Sequence, residues 1–165
     1  ETNCLLPNIN NDIFLDNKKD KKSKMNNPKI DLSKYKVSGY KLSENDKAEI
    51  EKSLLDSFLF KDQDPKILTK VIDKFILFKF PPNFTIFNVG DTGNNFFIIK
   101  TGKVQVIAKS FSKELGKNNS FGELALIVHS KRTATVKTID ECEIFSIKRN
   151  IFKESKIRNN RKYYI

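Results

Sequence analysis

Two short stretches of this chain carry side chains whose types and spacing suit an anion. The first, Ser120-Phe121-Gly122-Glu123-Leu124-Ala125-Leu126-Ile127, puts a glycine at the entrance of a short apolar helix. The second, Lys131-Arg132-Thr133-Ala134-Thr135, puts an arginine just before a strand. A glycine lets an anion approach the backbone closely. The opening N–H groups of a helix have no partner within it and the helix dipole favours negative charge, so a phosphate fits that turn. Arg132 offers a planar fork of donors matched to phosphate oxygens. Glu123, a carboxylate in an otherwise apolar turn, is an acceptor for a sugar hydroxyl. Spacing alone admits a second reading, in which Leu124 to Ile127 is a core-facing turn and Glu123 and Arg132 form an ion pair on its surface.

Catalytic constellations are nearly excluded. His129 is the only histidine and, beside Ser130 and Lys131, reads as a loop residue. Cys-x-x-Cys, a zinc-protease helix and a Gly-x-Ser-x-Gly elbow are all missing. Gly90 and Gly93 lie in a turn that no Gly-Lys-Ser/Thr follows, so they do not form a phosphate loop of the nucleotidase kind. Kinase signature motifs are absent as well, and the chain is expected to have no catalytic site of its own.

The elements that would hold the two stretches in place are legible on either side of them. Residues 1–42 are Asn- and Lys-rich, are broken by Pro7 and Pro28, and read as a largely disordered polar and basic leader. Order is expected from Ser43, which stands before Asp46 in a capping-box arrangement and leads into Ile50, Leu54 and Phe58 at helical spacing. Asp64-Pro65 starts a second helix, with Ile67, Leu68, Val71, Ile72 and Phe75 on one face. From residue 76 the texture changes to short apolar pieces: Ile76 to Phe80, Phe84 to Val89, Phe96 to Lys100, Lys103 to Ala108, Thr133 to Thr138 and Glu143 to Ile147. Strands of this length and spacing indicate an antiparallel sandwich or barrel over 76–148, interrupted at Phe121 to Ser130. Arg149 to Ile165 reads as a final helical segment.

The chain has 165 residues, 38% of them hydrophobic, enough for one domain with a core of its own. No stretch approaches the ~18 apolar residues of a membrane helix, and no charged-then-apolar leader opens the sequence, so the chain is expected to be soluble and unsecreted. It begins at Glu1, as a piece of a longer polypeptide would. With only Cys4 and Cys142, a reducing compartment is the better expectation than a disulfide framework. The 31 basic and 20 acidic residues leave a net charge of +11, which favours anionic partners without naming one. Much of the excess lies in Lys18, Lys19, Lys21, Lys22 and Lys24, a run without interleaved aromatics that reads as a solvated tail and not as a nucleic-acid clamp.

The stretch Phe121-Gly122-Glu123-Leu124-Ala125-Leu126, followed by Arg132-Thr133-Ala134-Thr135-Val136, resembles the phosphate-binding cassette of the cyclic-nucleotide-binding domain family. Upstream, Val89-Gly90-Asp91-Thr92-Gly93-Asn94-Asn95-Phe96-Phe97-Ile98-Ile99, with Gly102 beyond it, resembles the glycine-turned strands of that family's β-roll. The resemblance runs from about Ser53 to the end and implies a mainly β, α+β fold. That fold is a cyclic-nucleotide-binding β-roll or jelly-roll barrel flanked by N-terminal helices at 43–75 and C-terminal helices at 149–165. It implies that Gly122, Leu124 and Ala125 present backbone N–H groups to the phosphate or line its cradle. Arg132 would bind the exocyclic oxygens, Glu123 would accept from the ribose 2′-hydroxyl, and Ala134 would add a backbone donor. Departures are mild: Asn88 stands where glutamine or glutamate is common, and Val128 to Lys131 is the variable loop.

Thr133 resembles the residue of cGMP-dependent protein kinases whose hydroxyl bonds the 2-amino group of guanine, where cAMP-type relatives have alanine. Arg161-Lys162-Tyr163-Tyr164 resembles the start of the last helix in the same kinases, so the lid over the base is expected either to lie beyond the given sequence or to be Tyr163 or Tyr164. The resemblance therefore implies a cytoplasmic regulatory domain that prefers cGMP over cAMP as its ligand, needs no cofactor and binds no metal. Its partner would be a Ser/Thr kinase catalytic domain in cis or in trans. Three alternatives remain beside it. The first is a cAMP-binding regulatory subunit, for which Lys21-Lys22-Ser23 is a poor echo of an inhibitor segment. The second, a DNA-binding regulator, needs a helix-turn-helix for which the sequence leaves no room, and the third is a channel gating domain.

Overall fold

A computed structural model describes residues 30–160, with side chains described to 155. The N-terminal part is helical for reasons written locally. Ser43 caps α1 (Glu44–Leu55): its hydroxyl accepts from the Asp46 amide, and the Asp46 carboxylate accepts from the Ser43 amide, satisfying two of the helix's orphan donors reciprocally. Asp64 caps α2 (Pro65–Ile72), where Pro65 occupies a first-turn position that has no hydrogen bond to lose.

Eight antiparallel strands follow: β1 (Ile76–Phe80), β2 (Thr85–Phe87), β3 (Asn95–Thr101), β4 (Val104–Ile107), β5 (Ser112–Leu115), β6 (Ser120–Phe121), β7 (Thr135–Thr138) and β8 (Cys142–Lys148). They form two four-stranded sheets, in the orders β1-β8-β3-β6 and β2-β7-β4-β5. The chain ends its described part in α3 (Arg149–Asn160). This is the mainly β roll with flanking helices that the sequence implies.

The first sheet is buried on both faces, and its side-chain alternation sorts residues between two cores. Phe96, Ile98, Phe145 and Ile147 face the helices and join Ile50, Leu54, Val71 and Phe152. Their neighbours Phe97, Ile99 and Ile144 turn the other way, into the space between the sheets, where they meet Ile86, Phe87, Val104, Val106 and Val136. That double burial is why β3 reads Phe-Phe-Ile-Ile, a continuous apolar run, where the half-solvated β4 alternates.

Three features depart from the sequence expectation. Order begins upstream of Ser43. Asp31 caps a 3₁₀ turn at Leu32–Tyr35, the Tyr35 ring packs on Phe80 and Phe84, and the Val37 amide donates to the Leu77 carbonyl. The remainder of the expected leader, including the lysine run, lies outside the described residues. Second, α1 stops at Leu55, so Phe58 does not continue its apolar face and is instead 70% exposed. Third, β5 and β6 fall where no strand was expected; β5 is a polar edge strand with no apolar alternation to announce it.

One polar cluster ties the N-terminal helices to the roll. Asp46, 1% exposed, accepts from the Tyr40 hydroxyl at 2.6 Å and pairs with Lys100 of β3 at 3.0 Å. Burial alone would raise the Asp46 carboxyl, but hydrogen bonds from Tyr40, the Ser43 amide and Lys100 outweigh it and hold the group at about 2.

Candidate functional site

Arg132 sits just ahead of β7 and is pinned to the glycine turn of residues 90–93 by reciprocal backbone bonds. Its amide donates to the Asp91 carbonyl at 2.7 Å, and its own carbonyl accepts from Gly90 at 2.8 Å. The two stretches that the sequence offers as separate signals are therefore one piece of structure. The side chain lies on Phe87, with the guanidinium carbon 4.1 Å from the ring centroid, and one terminal nitrogen donates to the Asn95 carbonyl at 2.8 Å. Its Nε is buried without a hydrogen-bond partner among the described residues. Burial pulls the guanidinium down to about 10, against the charge of Asp91, so it remains a cation at neutral pH.

Two glycines make room for this group. A Cβ at Gly93 would stand 2.3 Å from the Arg132 Nε, and one at Gly122 would stand 2.6 Å from a terminal nitrogen. Gly122 also has φ +79°, in the left-handed region that favours glycine. Gly93→Ala is accordingly expected to push the guanidinium aside and cost at least one charge-assisted hydrogen bond to an anion, about tenfold in affinity. The measurement is a binding titration, with a thermal melt to show that the fold is kept.

Beyond Arg132 opens a cavity of about 360 Å³, within the range of small-molecule sites. Its wall includes Gly122, Glu123, Leu124, Ala125, Arg132 and Thr133, the residues of the two motif stretches singled out from the sequence. The apolar part of the wall comes from Phe87, Val106, Phe121, Ala134 and Val136, with Phe58 added from the connection between α1 and α2. Glu123 to Leu126 form a 3₁₀ turn that opens at Gly122. The Ala125 amide donates to the Gly122 carbonyl at 3.1 Å, so Ala125 lines the cavity but has its N–H committed within the turn. Glu123 accepts from the Ser57 hydroxyl at 2.6 Å. The ion pair of Glu123 with Arg132, open as an alternative on spacing, does not form: the carboxylate faces Ser57 and the guanidinium faces Asn95.

A half-buried cation with a free donor, a left-handed glycine turn, a carboxylate and an apolar wall meet in one cavity, in the order that the sequence resemblance implies. The family model of the cyclic nucleotide-binding domain matches residues 77–157, which contain all of this except Ser57 and Phe58. The chain belongs to that family.

Relatives agree with the assignment. The chain is 28% identical over 120 residues to a protein of Drosophila melanogaster named cGMP-dependent protein kinase, isozyme 2; the match covers 72% of this chain and 11% of that protein. It is 30% identical over 119 residues to the cAMP-dependent protein kinase regulatory subunit of Yarrowia lipolytica, covering 72% of this chain and 32% of the subunit. The chain therefore spans a third or less of the length of these relatives. Among solved structures, the regulatory domain of Toxoplasma gondii PKA, crystallised with cAMP, superposes with a TM-score of 0.59 at 29% identity. That match covers 68% of this chain and 45% of the other.

Two residues at this cavity escape a reading of the sequence. Phe58 looks like one more apolar position of α1, and Ser57 stands 66 residues from the carboxylate it bonds, so nothing local signals either role. His129, expected as a plain loop residue, has its Nδ1 2.6 Å from a terminal nitrogen of Arg149, which also reaches the Asn94 side chain. Tyr163 and Tyr164, the candidate lids, lie outside the described residues, as does Cys4. Among the described residues no helix is long and apolar enough to cross a membrane.

Proposed function

We propose that this domain binds a cyclic nucleotide, cGMP in preference to cAMP, and that binding controls a Ser/Thr protein kinase catalytic domain carried in the same polypeptide or in a partner. The observation that carries the reading is the Arg132 guanidinium, charged and half-buried in a cavity wall, with its Nε unpartnered among the described residues. A cyclic phosphodiester supplies the anion it lacks. In this reading Gly122, Leu124 and Ala125 surround the phosphate, Ala134 adds a backbone donor and Glu123 receives the ribose 2′-hydroxyl. Ligand then biases one of two arrangements of the flanking helices, because equal affinity for both would shift nothing.

The preference for cGMP rests on Thr133, exposed on the cavity wall where its hydroxyl can accept from the guanine 2-amino group. One neutral hydrogen bond nets ~0.5–1.5 kcal/mol, so the preference is at most about tenfold. Thr133→Ala is expected to reduce cGMP affinity by up to that factor and to leave cAMP affinity nearly unchanged; an equal loss for both contradicts the contact. The test of the reading as a whole is calorimetric titration of the chain with each nucleotide. If neither produces heat or raises the melting temperature, the domain does not bind them.

A second reading, a cAMP-binding regulatory subunit, is favoured by the Yarrowia lipolytica relative and by the cAMP-bound Toxoplasma gondii domain. The same titration separates the two by which nucleotide binds tighter.

A further inference from the structure

We infer that Ser57 is a positioning residue for the ribose: from the connection between α1 and α2 it holds the Glu123 carboxylate in the orientation that receives the sugar 2′-hydroxyl. The inference rests on the proposed function and extends it to a residue outside both motif stretches. Ser57 is 7% exposed, and its hydroxyl donates to Glu123 Oε1 at 2.6 Å. A serine hydroxyl has one proton to give, and the Leu59 amide, 3.4 Å from the same oxygen, occupies its acceptor side, so the proton is directed at Glu123. The backbone of Ser57 is fixed in turn, its amide donating to the Leu54 carbonyl at 3.0 Å and its carbonyl accepting from Phe60 at 3.2 Å. Leu54 and Phe60 are both buried in the helix-side core. A rigid donor thus takes one carboxylate oxygen and leaves the second for a ligand. Glutamate has several rotatable bonds, and immobilising it before the ligand arrives removes a cost that binding would otherwise carry.

The link also fixes a direction of communication. Glu123 belongs to the turn on the cavity wall and Ser57 to the junction of the N-terminal helices, so whatever engages the carboxylate acts on that junction through one hydrogen bond.

The experiment titrates the chain, its Ser57→Ala and Ser57→Thr variants, and Glu123→Gln with and without Ser57→Ala. The probes are cGMP, cAMP and the 2′-deoxy analogue of each. Ser57→Ala is expected to lower affinity for the ribonucleotides about three- to tenfold and to leave the 2′-deoxy analogues within about twofold of the parent. Ser57→Thr, which keeps the hydroxyl, restores the ribonucleotide affinity, and Ser57→Ala adds nothing once Glu123 is glutamine. A loss shared equally by ribo- and 2′-deoxynucleotides shows that Ser57 only supports the fold and overturns the inference, as does no loss for either. Failure of the parent chain to bind any of the four nucleotides instead defeats the proposed function itself.

Discussion

Arg132→Glu is expected to lower cyclic-nucleotide affinity by about a hundredfold or more, since two charge-assisted hydrogen bonds at ~1.5–3 kcal/mol each would be removed and like charge set against the phosphate. The effect is large because Arg132 is the half-buried cation of the cavity wall, whereas Lys131 beside it is exposed to solvent. The Ala125 amide is committed to the Gly122 carbonyl, and most of the remaining wall is apolar. The guanidinium also bonds Asn95 and lies on Phe87, so a thermal melt of the variant must accompany the titration. Arg132→Lys separates the two roles. It keeps the charge but loses the planar fork and the stacking geometry, and an intermediate loss of about tenfold is expected. Undiminished affinity in Arg132→Glu would place the phosphate elsewhere.

Asp46→Asn is expected to cost about 3 kcal/mol of stability, the low end for breaking a buried pair, because it leaves the Lys100 ammonium only the more distant Glu143 carboxylate, 3.8 Å away, as counter-charge. The amide also offers one acceptor oxygen where the carboxylate uses two, for Tyr40 and Ser43 on one side and Lys100 on the other. The check is chemical denaturation at neutral pH, with a shift of the midpoint at unchanged slope. A pH series adds an independent readout. The folded-state Asp46 lies at about 2, below its ordinary value of 3.8, so its contribution is complete above about pH 4. It is lost as pH falls from about 4 to about 2. Over that window the parent should lose roughly 2 kcal/mol that Asp46→Asn no longer has to lose. Parallel stability curves for the two proteins would show that folding does not lower the Asp46 carboxyl.

What the sequence makes legible here is local. Ser43 with Asp46 and Asp64 with Pro65 announce two helix starts within a few residues, and the texture after Ile76 announces short strands. The cassette residues and Arg132 are identifiable because their spacing is contiguous. The features that escape are settled by partners distant in the chain. Residues 31–40 take their order from Tyr35 on Phe80 and Phe84 and from Tyr40 on Asp46, which no local period encodes. Phe58 fits the helical spacing of Ile50 and Leu54, but α1 ends first, and the ring goes to the cavity. Gly93 reads as a turn residue, whereas the structure needs it for the close approach of a side chain nearly forty positions later. β5, exposed along nearly its whole length, carries no apolar alternation because only its last residue, Leu115, reaches the core between the sheets.

The sheet β1-β8-β3-β6 is clad in apolar side chains on both sides. Close-packed interiors resist compression and bending, so this sheet behaves as a stiff plate. The helices ride on its outer surface and the ligand cavity lies by its inner one. A plate that does not flex cannot relay a signal by deforming. Any movement of the helices on the roll would then be shear across the Phe96–Phe145 surface, with the Ser57–Glu123 contact at its rim.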